Sequence, residues 1–405
     1  MREFISFEEA RHLVVSAVPQ QPQELVGLEQ ALGRTLAQAV HSPCDLPSFD
    51  NAAMDGFAVC AADLAHLPAH LVVVEELAAG SVPHHTVSSG TCAEIMTGAP
   101  LPDGADAVVP VEWTQSSGNG TVQINRALQP GKHVRRTAKD VRRDELLFEQ
   151  GQVVTPPVVA MLAMLGVARV SVRRAPRVAI TATGNELVDV AEAPRRGQVR
   201  NVNGPALAAQ VRTAGGVPLP PLRVRDDVAA LRAVSETALE ADVLVFSGGV
   251  SVGKHDHVKE VLGALGMETL FWKVRQRPGK PLVFGMLRGK PVFGLPGNPT
   301  AAAVCFEQYV RPALAKMLGR KEALRPLYDA VLDGPVQKKP GRHYFIRGHA
   351  FSDDAGCLRV RPAGSQAVGQ YRAMAQANCI VHMPEPLADP PAGTRVQFEW
   401  LPWAL

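Results

Sequence analysis

The stretch 241–256, ADVLVFSGGVSVGKHD, constrains the fold of this chain more than any other. Residues 243–246 are apolar at every position, as a strand buried on both faces of a parallel sheet requires. The run meets Ser247-Gly248-Gly249, then Ser251 and Gly253, where a backbone poor in side chains lets a ligand approach closely. A helical segment follows over about 257–265. Strand, glycine-rich turn and helix start converge unpaired N–H groups on one point, which suits an anion. A tight βα turn would explain an isolated Gly-Gly. Here the serines, Gly253, Lys254 and Asp256 crowd the same few positions and favour a phosphate-bearing ligand. The stretch is neither a Walker loop nor a G-x-G-x-x-G turn.

From Arg177 onward strands and helices alternate. Residues 178–182 read as a strand ending in Thr183-Gly184-Asn185-Glu186, and Asn203-Gly204-Pro205 opens a helix with an N-cap and a first-turn proline. A strand near 218–224 ends in Arg225-Asp226-Asp227, where the aspartates can cap a helix to about Leu239. Strands at 269–274, 282–286 and 292–295 follow, and Pro296-Gly297-Asn298-Pro299 starts a helix to about Leu318. This pattern is a doubly wound α/β domain, whose ligands bind beyond the carboxyl ends of the strands. The polar punctuation falls there: 183–186, 226–227, 247–256, 278–280 and 296–298.

The N-terminal half is less regular. Ser6-Phe7-Glu8-Glu9 fits a capping box opening a helix to about Val18, and 28–40 places Leu28, Ala31, Leu32, Leu36 and Ala39 on one helical face. In 46–59, Asp50, Asn51 and Asp55 sit among small residues; a polar loop satisfying its own turns and an aspartate aimed into a cleft fit equally well. Residues 71–111 read as a small β module in which Thr97-Gly98 is a turn or a hydroxyl offered to a ligand. Lys132, Arg135, Arg136, Lys139, Arg142 and Arg143 form either a solvated face or a surface for an anionic substrate. A helix at 156–165 and a linker at 173–176 close this half. The last 80 or so residues return to short strands, expected to form a barrel-like all-β domain, with no site read there.

Composition excludes several classes. A chain of 405 residues, 46% hydrophobic, supports two to four domains. The formal charge of +3, with no dense basic stretch interleaved with aromatics, argues against nucleic acid. Six cysteines without C-x-x-C spacing argue against structural zinc and suit a reducing cytoplasm. No signal peptide and no apolar run long enough to span a bilayer are present, so no membrane association is expected.

Five motifs in order resemble the molybdopterin molybdenumtransferases (MoeA and the E domain of gephyrin): Ser48-Phe49-Asp50-Asn51-Ala52-Ala53-Met54-Asp55-Gly56, Ile95-Met96-Thr97-Gly98-Ala99, the 247–253 glycine loop, Pro278-Gly279-Lys280-Pro281 and Leu295-Pro296-Gly297-Asn298-Pro299. The resemblance covers essentially the whole chain. It implies an elongated linker domain (1–45 and 136–176), an inserted β-rich module (46–135), a molybdopterin-binding α/β domain (177–324) and a C-terminal all-β domain (325–405). It also implies a cytoplasmic homodimer whose cleft joins the α/β domain of one subunit to the N-terminal region of the other, with a molybdopterin adenylyltransferase as upstream partner. The implied reaction consumes adenylated molybdopterin and molybdate and releases AMP with the help of Mg²⁺.

On the family pattern, Glu186 and Asp256 hold the metal, and Asp55, Asp140, Asp226 and Asp227 line the same acidic cleft. For Asp226, Asp227 and Asp256 a helix-capping reading competes. Ser247, Gly248, Gly249, Ser251 and Gly253 hold the phosphate side of the pterin, together with Thr183, Gly184, Arg277, Pro296, Gly297, Asn298 and Pro299. Thr97 donates a hydrogen bond, and Lys280 meets molybdate or phosphate as a point charge. Four positions depart from the family: Ala138 stands for a glycine, Lys139 for an acid, Val202 for a hydroxyl residue and Arg277 for a lysine. These departures leave open a divergent paralogue, with a binding or scaffold role or a preference for tungstate. A generic nucleotide-binding enzyme such as a dehydrogenase is disfavoured by the missing G-x-G-x-x-G.

Overall fold

The computed structural model describes residues 1–249, 257–367 and 370–404, so Ser251, Gly253 and Asp256 lie outside the described residues. The chain divides into two compact units: residues 1–38, 150–156 and 169–405 form one, and 39–149 with 157–168 the other.

In the first unit, Val243–Ser247 is buried at all five positions and lies inside an eight-stranded sheet. The order is Arg2–Ile5, Glu268–Val274, Val283–Leu287, Lys290–Leu295, Val243–Ser247 and Arg177–Thr183, and the last pairs with both Val217–Pro218 and Leu222–Val224. All run parallel except Val283–Leu287. Strand alternation divides the apolar run between two cores. Val243 and Val245 pack with Leu207, Val211, Val304 and Leu314, whereas Leu244 and Phe246 pack with Leu231, Val258, Val261 and Leu262. Helices Asn203–Thr213, Pro299–Cys305 and Arg311–Met317 therefore cover one face, and Val228–Ala238 and Val258–Ala264 the other. The doubly wound arrangement matches the sequence pattern.

Two N-terminal elements differ from the sequence reading. Ser6 caps the helix Phe7–Ala17 as expected, its hydroxyl accepting from the Glu9 N–H at 3.1 Å. The preceding residues Arg2–Ile5 form an edge strand that no periodicity announced. The helix expected over 28–40 covers only Leu28–Ala31, because Gly33 adopts φ +76 and turns the chain into isolated bridges at Thr35 and Leu36. Leu32 of the expected apolar face is consequently exposed.

The C-terminal strands Tyr328–Leu332, His343–Ser352, Leu358–Pro362, Cys379–Met383 and Arg395–Trp400 close into a five-stranded barrel, the second pairing with both the third and the fourth. The short strand Gln276–Arg277 adds in parallel to His343–Tyr344.

The second unit is built on a six-stranded sheet ordered Ala107–Pro110, Gly56–Val59, Thr91–Ile95, Ala69–Leu77, Thr121–Ile124 and Thr114–Ser116. Asp50 ties a neighbouring loop together: its carboxylate accepts from the Thr137 N–H at 2.7 Å, the Thr137 hydroxyl at 3.0 Å and the Arg136 guanidinium at 2.6 Å. These donors, the Thr137 N–H foremost, hold the carboxyl below its ordinary pKa. In the same loop Ala138 sits at φ +58, a conformation in which its Cβ is crowded. Replacing Ala138 with Gly is expected to raise stability by about 1 kcal/mol, read as a higher urea midpoint with unchanged slope.

Candidate active site

The parallel strands Arg177–Thr183, Val243–Ser247 and Lys290–Leu295 end at one cavity of about 480 Å³. Thr183, Gly184, Ser247, Gly248, Gly249, Pro296, Gly297 and Pro299 of the expected ligand set all line it. Its floor is a buried polar knot. The Asn203 amide donates to the Ser247 hydroxyl at 2.7 Å and to the Gly297 carbonyl at 2.8 Å, and the Ser247 hydroxyl donates to the Pro296 carbonyl at 3.2 Å. Asn203 is therefore not the helix cap expected from the sequence. Asn201 takes that task, accepting from the Gly204 N–H at 3.0 Å. Asn298 does cap its helix, accepting from the Ala301 N–H at 3.2 Å. Thr183 Oγ1 is buried without a hydrogen-bond partner among the described residues and faces the Gly248-Gly249 turn.

The glycines differ in what they require. Gly248 lies at φ +97, and a Cβ there would fall 2.6 Å from the Thr183 carbonyl oxygen. Gly297 has a different reason: a Cβ would meet only the Gly248 Cα, at 3.5 Å, so a side chain would occupy the space between the two turns.

Two carboxylates line the same cavity, exposed Glu186 and half-buried Asp226. Asp227 does not; its carboxylate accepts from the Ala230 N–H at 2.8 Å and caps the helix Val228–Ala238. The adjacent aspartates thus divide between the cavity and a helix end.

A second cavity of about 880 Å³ lies in the same unit, lined by Arg277 and Pro278 and, from the barrel, by Lys338, Tyr344, Arg347 and Gln366. The C-terminal domain, in which the sequence showed no site, therefore supplies most of this wall. Arg347 is 2% exposed, its Nη2 donating to the Ser365 carbonyl at 3.2 Å while its Nε has no partner. Burial lowers its pKa first, and the nearby Arg277 charge adds to this. Neither guanidinium is in an ion pair among the described residues, and with Lys338 and Lys339 in the lining against the single carboxylate of Asp389, the cavity carries a net positive charge. The loop 277–281 links the two cavities: Arg277 and Pro278 line the basic one and Pro281 the first. Lys280, between them in the chain, lines neither; it is exposed, its ammonium 5.3 Å from the Phe4 ring centroid.

Asp55, Thr97 and Asp140 belong to the second unit, and all are exposed. The Thr97 hydroxyl and N–H both donate to Asp55 Oδ1 at 2.7 Å, so the hydroxyl expected to serve a ligand holds an aspartate. These donors, the hydroxyl first, keep the Asp55 carboxyl below its ordinary pKa. The Asp140 N–H donates to the Leu46 carbonyl at 3.0 Å, which ties its loop to the segment carrying Asp55.

The Asp55 shift has a definite sign. A depressed carboxyl pKa contributes stability above its unfolded value, lost as pH falls through the folded one. Thr97→Val removes the hydroxyl donor, so Asp55 is expected to titrate at higher pH in a carboxyl-carbon NMR titration. An unchanged midpoint would show that the backbone N–H alone sets it.

Comparison with known proteins matches three regions of the chain in order. The MoeA N-terminal region (domain I and II) matches residues 5–166, the probable molybdopterin binding domain 179–316, and the MoeA C-terminal region (domain IV) 329–401. Molybdopterin molybdenumtransferase 2 of Mycobacterium tuberculosis is 38% identical over 384 residues, covering 92% of this chain and 93% of its own. The molybdopterin molybdenumtransferase of Haemophilus influenzae is 34% identical over 405 residues, 98% of each chain. The crystal structure of the molybdopterin biosynthesis MoeA protein of Pyrococcus horikoshii superposes with a TM-score of 0.85 at 32% identity, covering 98% of this chain and 99% of that one. With its three regions matched in order and near-complete relatives above 30% identity, the chain belongs to the molybdopterin molybdenumtransferase (MoeA) family, transferases of molybdenum cofactor biosynthesis.

Proposed function

We propose that this protein inserts molybdenum into adenylated molybdopterin, with the pterin's phosphate side in the strand-end cavity and molybdate entering from the basic one. The observation that carries this reading is the loop 277–281, which lines both a glycine-rich cavity where Glu186 and Asp226 stand and a cavity where Arg277 and Arg347 stand without an ion pair among the described residues. A phosphate-bearing pterin suits the first, where Gly248, Gly249 and Gly297 leave backbone close to the ligand. A small dianion suits the second, where buried Arg347 and exposed Arg277 supply charge and planar donors. Lys280 adds a point charge on the connecting loop. In the reaction, the two dithiolene thiols replace one oxygen of molybdate, which leaves as water with their protons, and water adds across the pyrophosphate link so that AMP leaves and the pterin keeps its phosphate.

The reaction class implies Mg²⁺, and the residues present fit it. Magnesium is commonly held by one or two carboxylates with substrate phosphates completing its shell, and Glu186 and Asp226 are hard oxygen donors in one cavity. Among the described residues, which leave out Asp256, no group of three or more His, Cys, Asp or Glu is gathered for a metal. Asp256, the other expected ligand, lies outside the described residues. When bound, the ion would offset charge on the bridging phosphate oxygens. The protein's own part is positional: Asn203 fixes the turns, Thr97 holds Asp55 ionised, and Asp227 orders the helix beside Asp226.

By the same resemblance, the protein works as a homodimer in the cytoplasm, with Asp55, Thr97 and Asp140 of one copy completing the cleft of the other. A molybdopterin adenylyltransferase delivers the substrate. Among the described residues no helix is long and apolar enough to cross a bilayer.

The test is AMP release from adenylated molybdopterin with Mg²⁺ and molybdate. The native protein is expected to release AMP only with molybdate present, with tungstate as the comparison oxyanion. Tight pterin binding without release with either oxyanion would assign a binding role instead. Asp226→Asn is expected to lower the rate by about 100-fold or more, whereas Asp227→Ala stays within about threefold and loses about 1 kcal/mol of stability through the lost cap. Gly297→Ala is expected to keep a near-native thermal midpoint yet weaken adenylated pterin binding by about tenfold, measured by calorimetry, because the added methyl enters the cavity.

A further inference from the structure

We infer that Gln276 and Tyr309 are positioning residues, a buried polar brace that fixes the loop 277–281 and so the charges it presents. Along the strand Gln276–Arg277 side chains alternate: Gln276, 1% exposed, points into the core, while exposed Arg277 lines the basic cavity, its guanidinium 5.5 Å from the Tyr344 ring centroid. The Gln276 amide is engaged at both ends. Its Nε2 donates to the Gly279 carbonyl at 3.1 Å, and its Oε1 accepts from the Tyr309 hydroxyl. Gly279 has no room to move inward, because at φ +91 a Cβ would fall 2.3 Å from Cys305 Sγ. The loop is thus pinned through the middle of Pro278-Gly279-Lys280.

Tyr309 has a second peculiarity. It lies in the π-helical turn Phe306–Val310, set between the α-helices Pro299–Cys305 and Arg311–Met317. Such turns re-aim side chains and recur at functional sites. Here the turn places a hydroxyl in a core otherwise built from Phe271, Phe284, Phe306 and Phe345. Neither Tyr309 nor Gln276 lines either of the two cavities, so their effect on the reaction is expected to pass through the loop they hold. Burying these groups is favourable only while each is paired, which makes the brace specific to one loop conformation.

The inference rests on the molybdenum-insertion reading, and the test separates the two. In Tyr309→Phe, the KM for molybdate in AMP release is expected to rise by about tenfold, with the KM for adenylated molybdopterin unchanged within about twofold. The double variant Tyr309→Phe, Gln276→Leu removes the tyrosine–amide pair and also leaves the Gly279 carbonyl without its donor, so it is expected to lower the thermal midpoint further and to keep the raised molybdate KM. A molybdate KM within about twofold of native in both variants, or both KM values rising together, would overturn the brace. If the native protein releases no AMP, the insertion reading fails and the brace is judged on backbone amide exchange over 276–281. Faster exchange there in Tyr309→Phe, with the sheet unchanged, supports it; unchanged exchange overturns it.

Discussion

One side-chain amide sets the geometry of the strand-end cavity. Asn203 stands at the start of a helix and reaches the ends of two neighbouring strands, bonding Ser247 on one and the Gly297 carbonyl after the other. Strand pairing fixes the spacing of Val243–Ser247 and Lys290–Leu295, but nothing in a sheet fixes the turns that leave it. Asn203 does so from below. The Ser247 hydroxyl passes the bond on to Pro296, so the knot is satisfied in a place from which solvent is excluded. An unpaired polar group there would cost about 1–3 kcal/mol, which makes the arrangement close to all-or-none. The glycines beside it can stay bare because the amide, and not their own side chains, holds them.

The two cavities have opposite electrostatic character within one unit. Among the described residues the first gathers Glu186 and Asp226 against Arg200, the second Arg277, Lys338, Lys339 and Arg347 against Asp389, so their net charges are of opposite sign. A polyanionic pterin would be repelled by the carboxylates unless a cation joined it, whereas a free oxyanion is drawn to the arginines. On the proposed reading, the opposite net charges would keep the two substrates from competing for one subsite. They also account for the short loop between the cavities carrying glycine and prolines, since its backbone must serve both walls.

The α/β framework was legible because buried parallel strands are written as apolar runs; the 243–246 run is the clearest case. The glycine turns at the strand ends were legible for the same reason, since nothing else requires Gly248 and Gly297 together. Asp226 and Asp227 read alike in sequence. They part only when Asp227 adopts an extended backbone and its carboxylate turns onto the Ala230 N–H. Asn203 was mistaken for a cap because an Asn before Gly-Pro has two uses and only the fold selects one. The basic cavity left no local signal, because Arg277, Lys338, Arg347 and Gln366 are scattered along the chain and meet when the barrel closes. The strand Arg2–Ile5 is too short for periodicity to reveal, and it depends on a partner about 270 residues away.

That strand has a consequence for how the molecule is made. Arg2 lies opposite Phe271 and Ile5 opposite Val274, so this strand waits for a partner synthesised about 270 residues later. At ordinary translation rates the delay is on the order of tens of seconds. During it, the helix Phe7–Ala17 exposes Phe7, Ala10 and Val14, which end in the main core of the first unit. The six-stranded sheet of the other unit draws all its strands from residues 56–124 and can assemble meanwhile. The nascent chain therefore carries a finished domain flanked by an unseated amphipathic helix, the kind of segment that chaperones bind, until the sheet edge emerges to receive it.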